Sequence, residues 1–289
     1  MTSPRRRARE STPSPTRSLT AEKSDRTPVT PPGAGDASQW SVRNVVLVHG
    51  AYADGSSWSA VVERLHAVGL TATAVQNPLS SLADDVAHTV RILDLQDEPT
   101  ILVGHSFAGT VITQAGVDPR VAGLVYVAAR APDASEDYAA LAKRFPEPPA
   151  NAGLVFKDGF GGLTEEAFLD DFANGVERDR ARTLYAVQGR VSEMLFHERV
   201  SEAAWRTKPS WYAISRNDRT TSPDLERFLA KRMGATTVEI DSGHLSLITH
   251  PDEVTQLILE AARGARPTAA HEPGTWLAAG AEPQRPSTR

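Results

Sequence analysis

Cysteine is missing from all 289 positions. That absence excludes disulfides, zinc–thiolate sites and a cysteine nucleophile together, and it fits a reducing compartment. Long hydrophobic runs are missing too, since no stretch approaches the roughly 18 apolar residues of a membrane span. Arg5 to Arg7 are not followed by an apolar segment, which argues against a secretory leader. The expected location is cytoplasmic, with no membrane partner. Excess positive charge is also lacking. The formal net charge is -5, and residues 1–40 are net +3, which leaves the remainder at -8. Duplex binding relies on Lys and Arg neutralising phosphates, so nucleic acid is not an expected partner.

What is present is ordinary globular material, 40% hydrophobic and 23% charged, enough for a sizeable core. Residues 1–40 are rich in Ser, Thr, Pro and Arg and show no apolar period; residues 265–289 are similar. Such segments bury too little surface to offset their ordering entropy, so both are expected to be disordered tails. Gly33-Ala-Gly35 is no dinucleotide fingerprint, because no strand precedes it and the third glycine is missing.

Residues 41–264 form the expected domain, in which strand and helix patterns alternate. Asn44–Val48, Thr71–Gln76, Thr100–Val103 and Val121–Ala128 read as strands. Ser56–Val68, Ser81–Leu95 and Phe107–Ala115 read as helices. This rhythm implies the α/β class, with a mostly parallel sheet and helices on both faces. From about 131 to 208 it breaks. Helical patterns appear at Thr164–Phe172 and Asp179–Val187 without a convincing strand, which predicts a helical lid. Strands at Ser210–Ser215 and Thr236–Ile240 and a closing helix at Asp252–Ala262 complete the domain.

The chemistry concentrates where strands end. Ile101-Leu-Val-Gly104-His105-Ser106-Phe107-Ala108-Gly109 runs a buried strand into a serine flanked by small residues, with a helix behind. A serine on so sharp a turn needs small neighbours for the backbone to pass. The helix start leaves free N–H groups where negative charge is favoured. Gly104 and Gly109 also bracket a P-loop spacing, but Thr110 and Val111 stand where Lys and Ser or Thr are required. A second strand ends in His49-Gly50-Ala51. The Ala51 and Phe107 amides would supply the two donors of an oxyanion hole, each worth about 2.7–4 kcal/mol of transition-state stabilisation. His49 reads as a structural histidine bonded to loop backbone.

A serine hydroxyl needs a base. His244, in Asp241-Ser-Gly-His244, lies between the last strand and the last helix, at the sheet's carboxyl edge. His66 and His88 fall in helices, His197 in the lid and His271 in the tail; His105 adjoins the serine, and His250 suits a helix cap. Asp218 follows a strand and precedes His244, and is the expected partner of the base. Asp133 and Asp241 are its rivals.

On these residues (Val48-His49-Gly50-Ala51, Gly104 to Gly109, Asn217-Asp218-Arg219 and Ser242-Gly-His244) the chain from about 44 to 263 resembles the α/β-hydrolase superfamily. The branch is that of small esterases similar to plant methylesterases, hydroxynitrile lyases and bacterial relatives. The resemblance implies an α/β-hydrolase fold, Ser106 as nucleophile, His244 as base, Asp218 as its partner, and Ala51 and Phe107 as oxyanion donors. The order Ser, Asp, His is the one expected there. Two departures argue against lyase chemistry: Gly50 and Leu245 stand where lyase members carry threonine and lysine, and without that lysine its cation is missing for departing cyanide.

The expected activity is therefore carboxylic-ester hydrolysis through an acyl-enzyme on Ser106, with no metal or organic cofactor. Of Phe145, Phe156, Phe160, Phe168, Phe172 and Phe196 in the lid most read as packing between lid and sheet; two of them facing the serine, with Tyr52 and Phe107 flanking it, would make the acyl pocket apolar, so a small hydrophobic ester is the expected small-molecule partner. A ligand receptor with an idle triad is the alternative from another class. A third reading makes the basic N-terminal tail a tether to an acidic partner.

Overall fold

The computed structural model describes residues 39–266. In chain order it begins with β1 (Asn44–Val48), α1 (Ser59–Ala67), β2 (Thr71–Val75), α2 (Leu82–Asp94), β3 (Thr100–His105), α3 (Ala108–Ala115) and β4 (Val121–Val127). An insertion comes next, with α4 (Tyr138–Ala142), β5 (Leu154–Lys157), β6 (Phe160–Leu163), α5 (Glu165–Ala167), α6 (Arg178–Ala186) and β7 (Val191–Ser192). The chain returns through β8 (Ser210–Ser215), α7 (Pro223–Met233), β9 (Thr236–Ile240), α8 (Ser246–Thr249) and α9 (Pro251–Gly264).

Six strands form one sheet in the order β2-β1-β3-β4-β8-β9, and every neighbouring pair is parallel. The four inner strands are buried along their whole length, as continuous apolar runs covered on both faces must be. The edge strands β2 and β9 carry exposed residues. Helix starts obey local chemistry. Ser81 accepts the Asp84 N–H at 3.1 Å to cap α2, and Pro251 opens α9 with Asp252 and Glu253 in the first turn. His250 stands at the N-cap of α9 but makes no capping bond; its Nδ1 pairs with Thr249 Oγ1. No helix among the described residues is long and apolar enough to cross a membrane.

The insertion between β4 and β8 departs from the purely helical lid expected. β5, β6 and β7 form a small antiparallel sheet. Its hairpin turns on Asp158 (φ 53°) and Gly159 (φ 79°), the left-handed pair that a two-residue hairpin loop demands. The Asp-Gly signal was in the sequence; strands of four residues and fewer were too short to show alternation. The expected tails, with Gly33 to Gly35 in the first, lie outside the described residues apart from their inner ends. There Trp40 and Ala265 are buried, and the Trp40 indole N–H donates to Val68 O at 3.3 Å.

One buried carboxyl shapes the loop after β2. Asp85 Oδ1 accepts the Leu79 N–H at 2.9 Å and holds Leu79 at φ 57°. Its Oδ2 has no partner among the described residues, and burial pushes the carboxyl up to about 7. Between the usual carboxylate value and about 7 the folded chain keeps a proton that the unfolded chain has lost. Stability therefore falls as pH rises through that window. Asp85→Asn is expected to flatten part of this slope in urea unfolding between pH 4 and pH 7. A slope equal to that of the wild type would refute the assignment.

Candidate active site

Loops leaving the carboxyl ends of β1, β3, β8 and β9 converge on one edge of the sheet, where crevices in parallel sheets open. Three backbone positions there adopt positive φ without being glycine: Tyr52 (62°), Ser106 (56°) and Ala128 (45°). Strain of this kind persists only where the surroundings over-determine it. At Ser106 they do. Its N–H donates to Val127 O at 3.1 Å, and its carbonyl accepts the N–H groups of Gly109 and Arg130, each at 3.0 Å. A Cβ on Gly50 would sit 2.8 Å from Ser106 Cβ, and one on Gly109 would collide with the Arg130 carbonyl. Among the described residues neither the Ala51 nor the Phe107 N–H finds an acceptor within the protein.

His244 Nδ1 and Asp218 Oδ2 are 2.6 Å apart with both side chains 0% exposed. Asp218 Oδ1 accepts two backbone N–H groups, from Thr220 at 2.6 Å and Thr221 at 2.8 Å. A carboxylate on the Nδ1 side requires the proton there, which leaves the lone pair on Nε2. Nε2 is buried and, among the described residues, carries no hydrogen bond. The rival aspartates are engaged elsewhere, Asp133 by Arg206 and Asp241 by Asn217. The fold thus brings Asp218 and His244 into contact and sets Ser106, Ala51 and Phe107 along the same sheet edge.

His49 is held as a neutral structural ring. Nε2 accepts the Asn77 N–H at 3.0 Å and Nδ1 faces Gly50 O at 3.0 Å, while burial lowers its pKa. His105, set aside as pointing away from the serine, proves to matter. Its Nε2 donates to the His244 carbonyl at 3.0 Å, its ring lies 4.7 Å from the His244 ring, and burial keeps it far below its usual pKa. It anchors the loop that carries His244. Asn174, in the insertion, bridges the loops that carry Asp218 and His244. Its Nδ2 donates to Asn217 O at 2.9 Å and its Oδ1 accepts the His244 N–H at 3.4 Å. Glu226 on α7 accepts the Ser215 N–H at 3.1 Å. Burial first, and the neighbouring Asp218 charge second, push its carboxyl well above the usual range. Asn174 and Glu226 lie in no motif, and His105, although inside the Gly104–Gly109 motif, acts through a contact 139 positions away.

Ser106 opens into a cavity of about 580 Å³ lined by Phe107, Phe145 and Phe196 among others. Phe172 packs on the His244 ring at 5.2 Å, whereas Phe160 is largely exposed and Phe168 packs on Phe172.

A family model described as "Alpha/beta hydrolase family" matches residues 45–257. The chain belongs to the alpha/beta hydrolase family. Among solved structures this hydrolase is similar to a pyrethroid hydrolase from Sphingobium faniae JZ-2, with 19% identity and a TM-score of 0.64 over 77% of this chain and 98% of that one. An extracellular alpha/beta-hydrolase from a Paenibacillus species shares 21% identity at a TM-score of 0.63, covering 76% and 99%. A methylesterase from Arabidopsis shares 16% at 0.63, covering 76% and 98%. At these identities the likeness establishes the fold. No curated protein matches the sequence.

Proposed function

We propose that this hydrolase is a serine esterase, cleaving carboxylic esters with an apolar body through an acyl-enzyme on Ser106. The observation that carries the reading is the buried Asp218–His244 pair, whose Nε2 is left without a partner at the sheet edge that holds Ser106. Ser106 Oγ attacks the ester carbonyl while Nε2 takes its proton, and the oxyanion is held by the Ala51 and Phe107 amides. Collapse of the intermediate returns the proton to the departing alkoxide, which leaves as the alcohol. Water, deprotonated by the same Nε2, then attacks the acyl-enzyme and releases the acid, regenerating Ser106.

The test is pre-steady-state hydrolysis of p-nitrophenyl acetate and butyrate. The expected result is turnover, with a burst stoichiometry no greater than one p-nitrophenol per chain and an acylated Ser106 peptide in a rapid quench. An inert wild type would sink the esterase reading. A burst without turnover would favour the receptor alternative.

A further inference from the structure

β4 runs out through Ala128 and Ala129 into Arg130, which lines the same cavity as Ser106 and Phe107. Its backbone is stitched to the nucleophile turn, for its N–H donates to Ser106 O at 3.0 Å. Its guanidinium stands against three rings, 4.9 Å from the centroid of Tyr138, 5.0 Å from Phe196 and 5.7 Å from Phe107. Ring faces attract a cation but leave its N–H donors without oxygen acceptors. Among the described residues no carboxylate pairs with it and no acceptor receives its side-chain N–H groups. Other arginines differ: Arg206, Arg219 and Arg232 each hold a carboxylate. Lys143 also lines the cavity, as does Glu147, whose Oε1 faces Asn151 Nδ2.

Arginine keeps its proton and presents five donors in a fixed fork suited to a carboxylate. Arg130 is partly buried at the cavity wall, where partial loss of water without a counter-ion is disfavoured and holds the guanidinium below its usual pKa. The missing acceptor is one that a ligand in this cavity would bring. We infer that Arg130 is an anion subsite of the Ser106 cavity, and that the ester cleaved here carries a carboxylate at a second position. That the ligand is an ester rests on the serine-esterase reading; the subsite does not. Aromatic residues alone implied an uncharged substrate, and Arg130 changes that to an apolar body with one ionised end.

Two rigid pairs of probes test this: monomethyl against dimethyl terephthalate, with the carboxylate on the acyl side, and 4-acetoxybenzoate against its methyl ester, with it on the alcohol side. Para substitution keeps the carboxylate from attacking its own ester. Binding to the Ser106→Ala protein is measured by equilibrium dialysis, and turnover with the wild type. The carboxylated member of at least one pair is expected to bind at least tenfold tighter than its neutral partner. Arg130→Met should abolish that ratio and Arg130→Lys, which keeps the charge without the fork, should retain part of it. Should Arg130→Met fail to fold, a ratio unchanged in Arg130→Lys at 0.5 M salt and in the wild type alike would count against the subsite. Equal or tighter binding of the neutral members overturns the inference, as does a drop in Arg130→Met shared equally by both members, the signature of a merely structural arginine. A carboxylate preference in binding, with both esters left intact by the wild type, would keep the subsite and reject the esterase reading.

Discussion

Ser106→Ala is expected to lower kcat on p-nitrophenyl butyrate by roughly 10⁵–10⁶-fold, equivalent to about 7–8 kcal/mol of barrier. The size reflects the work of the hydroxyl. Without Oγ there is no acyl-enzyme, and the oxyanion donors can assist only direct attack by water. The fold has little reason to suffer. The strained φ of 56° is held by backbone bonds to Val127, Gly109 and Arg130, all of which alanine keeps. A thermal midpoint within a few degrees of the wild type should therefore accompany the loss. Retention of more than about 1% of kcat in material free of contaminating esterase would show that Ser106 is not the nucleophile.

Asp218→Asn is expected to cost about 10⁴-fold in kcat near neutral pH, by the tautomer argument that applies to such triads. The local geometry makes the direction definite. Oδ1 accepts the Thr220 and Thr221 N–H groups, and an asparagine would turn its carbonyl oxygen to those two donors. Its NH₂ would then face His244 Nδ1, which must become an acceptor. The proton moves to Nε2, and the base loses the lone pair that Ser106 needs. Because both side chains are wholly buried, water cannot easily restore the original tautomer. The imidazole ¹⁵N shifts of His244 provide a check besides rate: the protonated nitrogen should change from Nδ1 to Nε2. A variant with slow turnover but an unchanged tautomer would make Asp218 an anchor for the loop after β8 rather than a partner of the base.

On the proposed mechanism these losses exceed those expected at His105, Asn174 and Glu226, which touch Asp218, His244 or their loops and not the reacting atoms. The His244 loop is held from below by His105 and from the insertion by Asn174, while Glu226 shares the buried space behind Asp218.

The sequence by itself determined the layered α/β architecture, because buried parallel strands must be continuous apolar runs and their helices must show a 3.6-residue period. It also determined the position of the turn at Ser106, since a left-handed serine between small residues has a local signature. Asp218 and His244 were legible through chain position alone: each comes directly after a strand, and parallel strands deliver their outgoing loops to the same edge. Only the tertiary structure decided among Asp218, Asp133 and Asp241, since that choice is a matter of contact between β8 and β9 loops and not of spacing. It alone revealed the β5–β6–β7 sheet, whose strands are too short to carry a period. It alone set His105 under His244, and left Arg130 beside three rings without a counter-ion among the described residues. A missing partner is a property of everything within a few ångströms, and no stretch of sequence contains that neighbourhood.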